Sequence, residues 1–382
     1  YGSAFESLLT IDPCTPVYWT DPSQFNQDYR NKYNAVQEGT SEYPYRFLGD
    51  ENGWFATSSI DETRGGSPFV QRDAADGSSE GVNLNGVLFA NLTPVKGLVV
   101  TSRFGFRVTQ SNTHRYEAPY WSNGKADVKT YTLSAAANTG IYYQWENFAN
   151  YSKTFAKKHN LNVMGGMSFI KNKSDNVSAT ATGSDILKGY DSNFRYLNYL
   201  KDDATKKVYN SPSESASLSY YARLGYSYDN RYSIQTNFRA DAFDSSKLSA
   251  KNRWGYFPSV SAGWTISNEP WIKDAISTSA LSFLKVRASW GVNGNINVLS
   301  GYPYSTSISL NSQWYQYHVD QAGNVYGSAP DGLANPDLTW ETSNQFDAGL
   351  DVRFLSNRLS FTFDWFHKET RDLLVNYSPT PE

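Results

Sequence analysis

The sequence predicts an all-β fold, a transmembrane antiparallel β-barrel, and three observations predict it. Candidate strands alternate apolar and polar residues, most of them run for ten to sixteen residues, and short turns alternate with long loops along the 382-residue chain. Strands of globular sheets usually have roughly five or six residues, whereas a tilted membrane crossing needs about ten. Outer-membrane barrels place short turns at one end and long loops at the other, and a soluble sandwich has no reason to sort its loops in this way.

The alternation is clearest in the run WGYFPSVSAGWTISNE, from Trp254 to Glu269. One parity of this run holds Trp254, Tyr256, Val260, Ala262, Trp264 and Ile266. Because a strand sends successive side chains to opposite faces, one face is apolar and the other is small and polar. The run from Leu284 to Asn295 repeats the pattern, with Lys285 and Arg287 on its polar face. The apolar face would be the core of a soluble sandwich, but it would meet lipid in a barrel whose lumen is lined by the polar face.

The chain divides into two regions. Residues 1–81 are rich in Asp, Ser, Gly, Pro and aromatics, and they predict a long extracellular loop region with at most one or two strands. Residues 82–382 predict about ten strands with short periplasmic turns and long extracellular loops. The strands form five pairs, 84–93 with 98–110, 141–156 with 161–172, 218–229 with 231–243, 254–269 with 284–295, and 340–355 with 359–371. The connection 267–282 is long enough for a short helix, and Asp229-Asn230 suits a primed hairpin turn.

Strand parity also assigns the two faces. The predicted lipid-facing side chains include Leu218, Tyr220, Ala222, Leu224, Tyr226, Tyr228, Ile234, Phe238, Ala240, Trp340, Phe346, Ala348, Leu350, Val352 and Phe354. The predicted lumen charges are Arg103, Arg107, Arg223, Arg239, Arg287, Asp347 and Asp351. Tyr226, Tyr228, Tyr232 and Phe354 adjoin short turns and are interpreted as an interfacial aromatic girdle.

Composition excludes several classes of function. A net charge of −3 gives no electrostatic case for nucleic-acid binding, and no stretch approaches the roughly 18 apolar residues of a spanning helix. The single cysteine, Cys14, and four scattered histidines without an HExxH pattern predict no metal site, no cofactor and no catalytic centre. The chain opens without the charged start and apolar core of a signal peptide, so we expect it to be part of a longer protein.

Five dissimilar runs carry a more specific signal. They are ANLTPVKGLVVTSRFGF, SYDNRYSIQTNFRADAF, WGYFPSVSAGWTISNE, LKVRASWGVNGN and NPDLTWETSNQFDAGLDVRFLSNRLSFTFDWFHKETRDLL. In order and spacing they resemble the central barrel portion of the SusC-like TonB-dependent outer-membrane transporters (the SusC/RagA family). The likeness covers most of residues 82–382, and the early run DPCTPVY resembles a loop of that family.

The resemblance implies that this chain is part of a 22-stranded barrel closed by an N-terminal plug, and we expect the plug to lie outside this chain. About ten strands could close a small barrel, but its interior would be too narrow for so many charged residues. It implies a bacterial outer membrane of Bacteroidota type and TonB-dependent import of an oligomeric nutrient, an oligosaccharide more than a peptide. The implied partners are a SusD-like surface lipoprotein lid, the TonB complex acting through the plug, and outer-membrane lipid, and a homodimer of transporter–lid pairs is compatible with the family. The lumen charges would then contact the plug or line the substrate path.

Aromatic residues in the loops are the candidate contacts to ligand or lid, since aromatic faces beside Asn, Gln and Asp can stack on sugar rings. They are Tyr120, Trp121, Tyr190, Trp314, Tyr315 and Tyr317, and packing between loops is their alternative role. Two other functions stay open. The chain could be a structural or interaction subunit of another outer-membrane complex, or a secreted β protein that binds or cleaves carbohydrate, which would require the apolar face to be buried.

Overall fold

The computed structural model describes residues 13–58, 67–124, 126–186, 196–201, 205–277, 279–299, 301–309, 316–320, 323–330 and 334–375. The chain forms two compact units. The first comprises Tyr1–Leu84, Arg107–Ile141 and Lys173–Ser213, and the second comprises Asn85–Phe106, Tyr142–Asn172 and Glu214–Glu382. In the part of the chain that the structure describes, no helix combines the length and apolar composition needed to cross a membrane.

Antiparallel strands make up most of the fold. In chain order they are β1 (Tyr18–Trp19), β2 (Gly49–Asp50), β3 (Gly53–Phe55), β4 (Ala75–Val95), β5 (Leu98–Glu117), β6 (Tyr120–Trp121), β7 (Asp127–Val128), β8 (Tyr131–Phe155), β9 (His159–Gly183), β10 (Thr205–Asn210), β11 (Ser213–Tyr228), β12 (Tyr232–Phe243), β13 (Trp254–Thr265), β14 (Leu281–Asn295), β15 (Ile308–Ser309), β16 (Gln316–Asp320), β17 (Gly323–Tyr326), β18 (Ala329–Pro330), β19 (Glu341–Phe354) and β20 (Leu359–Arg371). The α-helices are α1 (Gln27–Gln37), α2 (Pro68–Ala74) and α3 (Pro270–Ala275), and 3-10 turns cover Pro22–Gln24, Leu197–Tyr199 and Ile266–Asn268.

The main sheet has eleven strands in the order β20-β19-β14-β13-β12-β11-β9-β8-β5-β4, with β10 paired to β9. Neighbours on this path follow one another along the chain, apart from the short strands β6 and β7 between β5 and β8, β10 between β9 and β11, and β15–β18 between β14 and β19. The order is a path, so within the described ranges β4 and β20 are its two edges. All five predicted strand pairs are hairpin neighbours in this sheet.

Tight turns join the hairpins at one end of the second unit, which we call the short-turn end (156–158, 229–231 and 355–358). Asp229 and Asn230 both have a φ of 53°, the backbone that a primed turn requires, as predicted. The longer connection between β13 and β14 contains α3, so the prediction of a short helix there is also confirmed.

Four strands are longer than the alternation indicated. β4 begins at Ala75, β5 ends at Glu117, and β8 and β9 have 25 residues each. The added residues of β4 and β5 lack an apolar parity, and in β9 the apolar parity is weak because it consists of Val177, Ala179 and Ala181. Backbone hydrogen bonds pair strands whatever the side chains are. Thus Thr205–Asn210 pairs with 177–182, in a region predicted as a long loop.

The region 1–81 is more ordered than the sequence indicated. It contains three short strands in one small sheet and the eleven-residue helix α1. Asn26 caps the start of α1, because its side chain accepts a hydrogen bond from the Tyr29 amide at 2.8 Å. The core beside α1 is aromatic, with the Phe25 ring 4.8 Å from Tyr29 and 5.3 Å from Trp54, both edge to face. The members of this buried cluster are Trp19, Phe25, Tyr29, Tyr45, Ala56 and Trp121.

The face assigned to Trp340 was wrong. Trp340 was predicted to face lipid, but β19 begins only at Glu341 and the Trp340 side chain is 8% exposed. Its ring lies 5.3 Å from that of Phe257 and 6.0 Å from that of Phe243, and its indole N–H donates to the Arg253 carbonyl at 3.1 Å. Parity fails here because the residue precedes the strand and packs into a small core between loops.

Candidate functional site: the two faces of the sheet

The strand register brings the predicted apolar side chains together. Cross-strand partners share a face, and one row runs Tyr226, Ile234, Ala262, Ala288, Ala348 and Trp365 through the pairings of β11 to β20. The neighbouring rows pair Ala222 with Phe238 and Trp290 with Phe346. The predicted face is therefore continuous over six strands, because each register preserves the parity of the strand before it.

This apolar face is open. Tyr256 is 60% exposed, Trp365 52% and Phe238 47%, although all three are large apolar side chains. A soluble sandwich would bury such residues between two sheets. The exposure therefore favours a face that contacts lipid over the core of a carbohydrate-binding sandwich.

Stacked aromatic rings lie at both ends of the apolar face. At the short-turn end the Tyr232 ring lies 6.4 Å from Tyr228 and 6.2 Å from Trp264, and at the other end Trp254 lies 6.0 Å from Tyr220. Trp254 and Trp264 are ten residues apart on β13. At roughly 3.3 Å per residue and a tilt of about 40°, that spacing is roughly 25 Å in height, which matches the apolar band between the two aromatic girdles of an outer-membrane barrel.

The opposite face is polar, and its charges bind one another. Arg287 on β14 donates from Nε to Asp351 Oδ2 at 3.1 Å, and its Nη2 lies 2.5 Å from Asp364 Oδ1 on β20. Gly349 lies between them in the register, and a Cβ at that position would be 2.6 Å from Arg287 Cζ. The guanidinium therefore crosses the intervening strand only because that strand has a glycine there.

The strand register places Arg223, Arg239 and Asp347, three other predicted lumen charges, on the same polar face as Arg287. Arg239 Nε donates to both carboxylate oxygens of Asp241 at 2.8 Å, and Arg223 Nε donates to Asn237 Oδ1 at 2.9 Å. The remaining contacts are Arg103 Nη1 to Glu146 Oε2 at 3.7 Å and Gln345 Nε2 donating to Asp347 Oδ1 at 2.8 Å, while Arg107 is exposed on β5.

A polar part of this face with a single charged residue, Lys153, in its lining borders the short-turn end. A cavity of about 520 Å³ is lined there by the hydroxyl and amide side chains of Ser152, Asn162, Ser227, Gln235 and Ser261. Asn162 Nδ2 donates to Ser152 Oγ at 2.7 Å, so part of this lining is held in place. Hydroxyl and amide groups both donate and accept hydrogen bonds, which suits a wall in contact with water or with a polar body.

Glu269 joins several side chains at the short-turn end, and sequence reasoning missed this role because it placed the residue where a predicted strand runs into the connection 267–282 and assigned it no partner. Its Oε2 accepts from Arg231 Nη1 at 2.7 Å and its Oε1 from the Trp264 indole at 2.9 Å, while the Tyr232 hydroxyl also donates to the carboxylate. The hydrogen bonds from Tyr232 and Trp264, followed by Arg231, lower the pKa of Glu269 from its ordinary 4.5 to about 2. The Glu-Pro pair that opens α3 was the available signal.

The candidate loop aromatics have separate places. Tyr120 and Trp121 form β6 and are each 7% exposed. Tyr120 packs in a cluster with Phe55, and the Trp121 ring lies 6.0 Å from that of Tyr29. Their burial supports loop packing. Tyr317 lies in β16, and Tyr190, Trp314 and Tyr315 lie outside the described residues. Among the described side chains, no group of three His, Cys, Asp or Glu residues is placed to hold a metal ion.

A sheet with an open apolar face opposite a charged one is a segment of a membrane β-barrel wall, and comparison with known proteins gives its family. A family model described as TonB dependent receptor-like, beta-barrel matches residues 17–382, and the chain belongs to this family. Both the predicted fold class and the SusC-like resemblance are confirmed.

Individual relatives agree with this assignment. TonB-dependent receptor P39 of Formosa agariphila is 31% identical over 292 residues, which are 75% of this chain and 25% of the relative. TonB-dependent receptor SusC of Bacteroides thetaiotaomicron is 28% identical over 387 residues, covering 98% of this chain and 34% of the relative. The solved structure of the RagAB peptide transporter shares the fold, with a TM-score of 0.71, 24% identity and coverage of 86% of this chain and 34% of that chain. The chain thus spans about a quarter to a third of the length of these relatives.

Proposed function

We propose that this chain forms part of the barrel wall of a TonB-dependent transporter in the outer membrane of a Bacteroidota-type bacterium. The observation that carries the proposal is the open apolar face, bounded by two aromatic rows roughly 25 Å apart, opposite a hydrogen-bonded polar face. The chain contributes wall and loops to import and no covalent chemistry.

The polar face contacts the plug, which belongs to the part of the receptor outside this chain. Its paired charges present fixed hydrogen-bonding groups, and the contacts to the plug would come from Arg103, Arg107, Arg223, Arg239, Arg287, Asp347 and Asp351. The TonB complex would act through the plug, and a SusD-like surface lipoprotein would close the extracellular mouth. Two such transporter–lid pairs would form the dimer.

The proposed cargo is an oligosaccharide. Support comes from the sequence NSQWYQY at 311–317, where three aromatic residues lie among Asn and Gln residues. Aromatic rings stack on sugar faces while amides bind hydroxyls. A peptide is the alternative cargo, since the RagAB structure with the same fold is titled a peptide transporter.

Uptake by living cells tests the proposal. A strain that lacks the full-length gene, a strain that carries it and a strain that carries it without TonB are each given fluorescent oligosaccharides or fluorescent peptides. We expect gene- and TonB-dependent accumulation of an oligosaccharide. Accumulation of peptides alone would change the cargo to peptide. No TonB-dependent uptake of either class, in cells that display the receptor at the surface, would favour a structural subunit of a surface complex.

A further inference from the structure

The connection between β13 and β14 exposes large apolar side chains at the short-turn end. Trp271 in α3 is 57% exposed and Ile276 directly after α3 is 37% exposed. Solvent-exposed tryptophan on a short helix is costly in water, because its large apolar surface stays hydrated. An environment other than bulk water is therefore expected around α3.

Hydrogen bonds show on which side of the strands this connection begins. Glu269, the residue before α3, binds the polar edges of Trp264 and Tyr232, which both belong to the apolar face. The residue Glu269 is 4% exposed, and its backbone carbonyl accepts from the amide of Lys273 at 3.1 Å. The start of α3 is therefore fixed beside the apolar face.

The next short turn adds to the same surface. The amide of Leu355 donates to the carbonyl of Ala280 at 3.2 Å, and the amide of Ser356 donates to the carbonyl of Ser279 at 3.0 Å. Leu355 is 57% exposed and Leu359 is 55% exposed. We call the four apolar residues Trp271, Ile276, Leu355 and Leu359, with the exposed cations Lys273 and Arg358, the interfacial patch.

We propose that the interfacial patch binds the phospholipid leaflet at the short-turn end of the barrel, with its apolar side chains at the boundary between headgroups and acyl chains. Leu359 shares its parity with Phe361 and Phe363 on the apolar face, so the patch continues the surface that meets lipid. Tryptophan favours this boundary, and Lys273 and Arg358 supply the positive charge that anionic headgroups attract. The helix would lie in the leaflet surface as an anchor.

Fluorescence quenching tests this site in the full-length receptor. A cysteine-free receptor in nanodiscs of phosphatidylethanolamine and phosphatidylglycerol receives one cysteine, by Trp271→Cys or by Asp274→Cys as the control on the same helix, and a nitrobenzoxadiazole label. A third variant, Phe238→Cys, reports the middle of the apolar face. We expect brominated phospholipid to remove roughly half of the fluorescence at 271, and aqueous iodide to quench mainly the label at 274.

Two results would overturn the proposal. Equal iodide quenching at 271 and 274 without lipid quenching would place α3 in water, and protection of 271 from both quenchers would place it against another part of the receptor. The label at 238 separates this inference from the proposed function, because its quenching by lipid tests the barrel wall alone. Two further variants carry the label at Ile276→Cys. Trp271→Phe should leave the iodide quenching of this label unchanged, whereas Trp271→Glu should raise that quenching severalfold.

Discussion

Arg287 Nη2 lies 2.5 Å from Asp364 Oδ1, although β19 separates their strands. The contact exists because Gly349 leaves the space above β19 empty. A single missing side chain thus allows one arginine to join three strands of the polar face.

Gly349→Ala should break this arrangement. The new Cβ would lie 2.6 Å from Arg287 Cζ and 2.7 Å from Asp364 Oδ1, so we expect a loss of about 1–3 kcal/mol in the free energy of unfolding. Urea unfolding of the full-length receptor in lipid vesicles measures it. Gly225→Ala is the control, because its nearest atoms are 3.9 Å away, and equal effects of the two substitutions would contradict the account.

Glu269 should make stability depend on pH. Its pKa is lowered from 4.5 to about 2 in the folded protein, so its contribution is complete above about pH 4.5 and is lost as the pH falls towards 2. Glu269→Gln should lower the unfolding midpoint at pH 7, and the difference from wild type should shrink between pH 4.5 and 2. Denaturation series across this range test it, with exposed Glu51→Gln as the control. A difference that stays constant with pH would contradict the assignment.

Trp340 should matter more for stability than its position before a strand indicates. Its ring fills the loop core against Phe257 and Phe243, so Trp340→Ala should cost about 3–5 kcal/mol. Leu373→Ala, whose side chain is 64% exposed, should change stability by less than about 0.5 kcal/mol. Unfolding in vesicles compares the two variants, and similar losses would mean that the loop core does not stabilise the barrel.

These cases show what the sequence could predict. The strand pairs and their faces could be predicted because apolar and polar residues alternate along each strand with a period of two. The register of the main-sheet strands from β11 to β20 keeps the apolar residues of neighbouring strands on one face. The full length of β8 and β9 did not follow, because small residues such as alanine make the alternation in their outer parts weak, and Leu133 and Ala181 are buried by partners distant in the sequence. The roles of Trp340 and Glu269 depend on partners dozens of residues away, such as Phe257 and Arg231, and local patterning carries no record of such contacts.

The candidate ligand residues lead to a prediction about uptake. Trp314→Ala should lower the apparent affinity for an oligosaccharide about three- to tenfold, the loss expected when one ring stacks on a sugar. Concentration-dependent uptake by cells with equal receptor at the surface measures it. Tyr209→Ala, exposed on β10, is the control. Equal affinity in Trp314→Ala and wild type would remove this residue from the site.

The lipid contact of the apolar face is tested most directly by nitroxide scanning of β12. Single labels from Ser233 to Ala242, in the full-length receptor in vesicles, are measured for collision with oxygen, which concentrates in lipid, and with a water-soluble nickel complex. We predict high oxygen access at even positions such as Ile234 and Phe238, and low oxygen access at the odd positions between them. Even positions shielded from both reagents would show a buried core, and the barrel-wall account would be wrong.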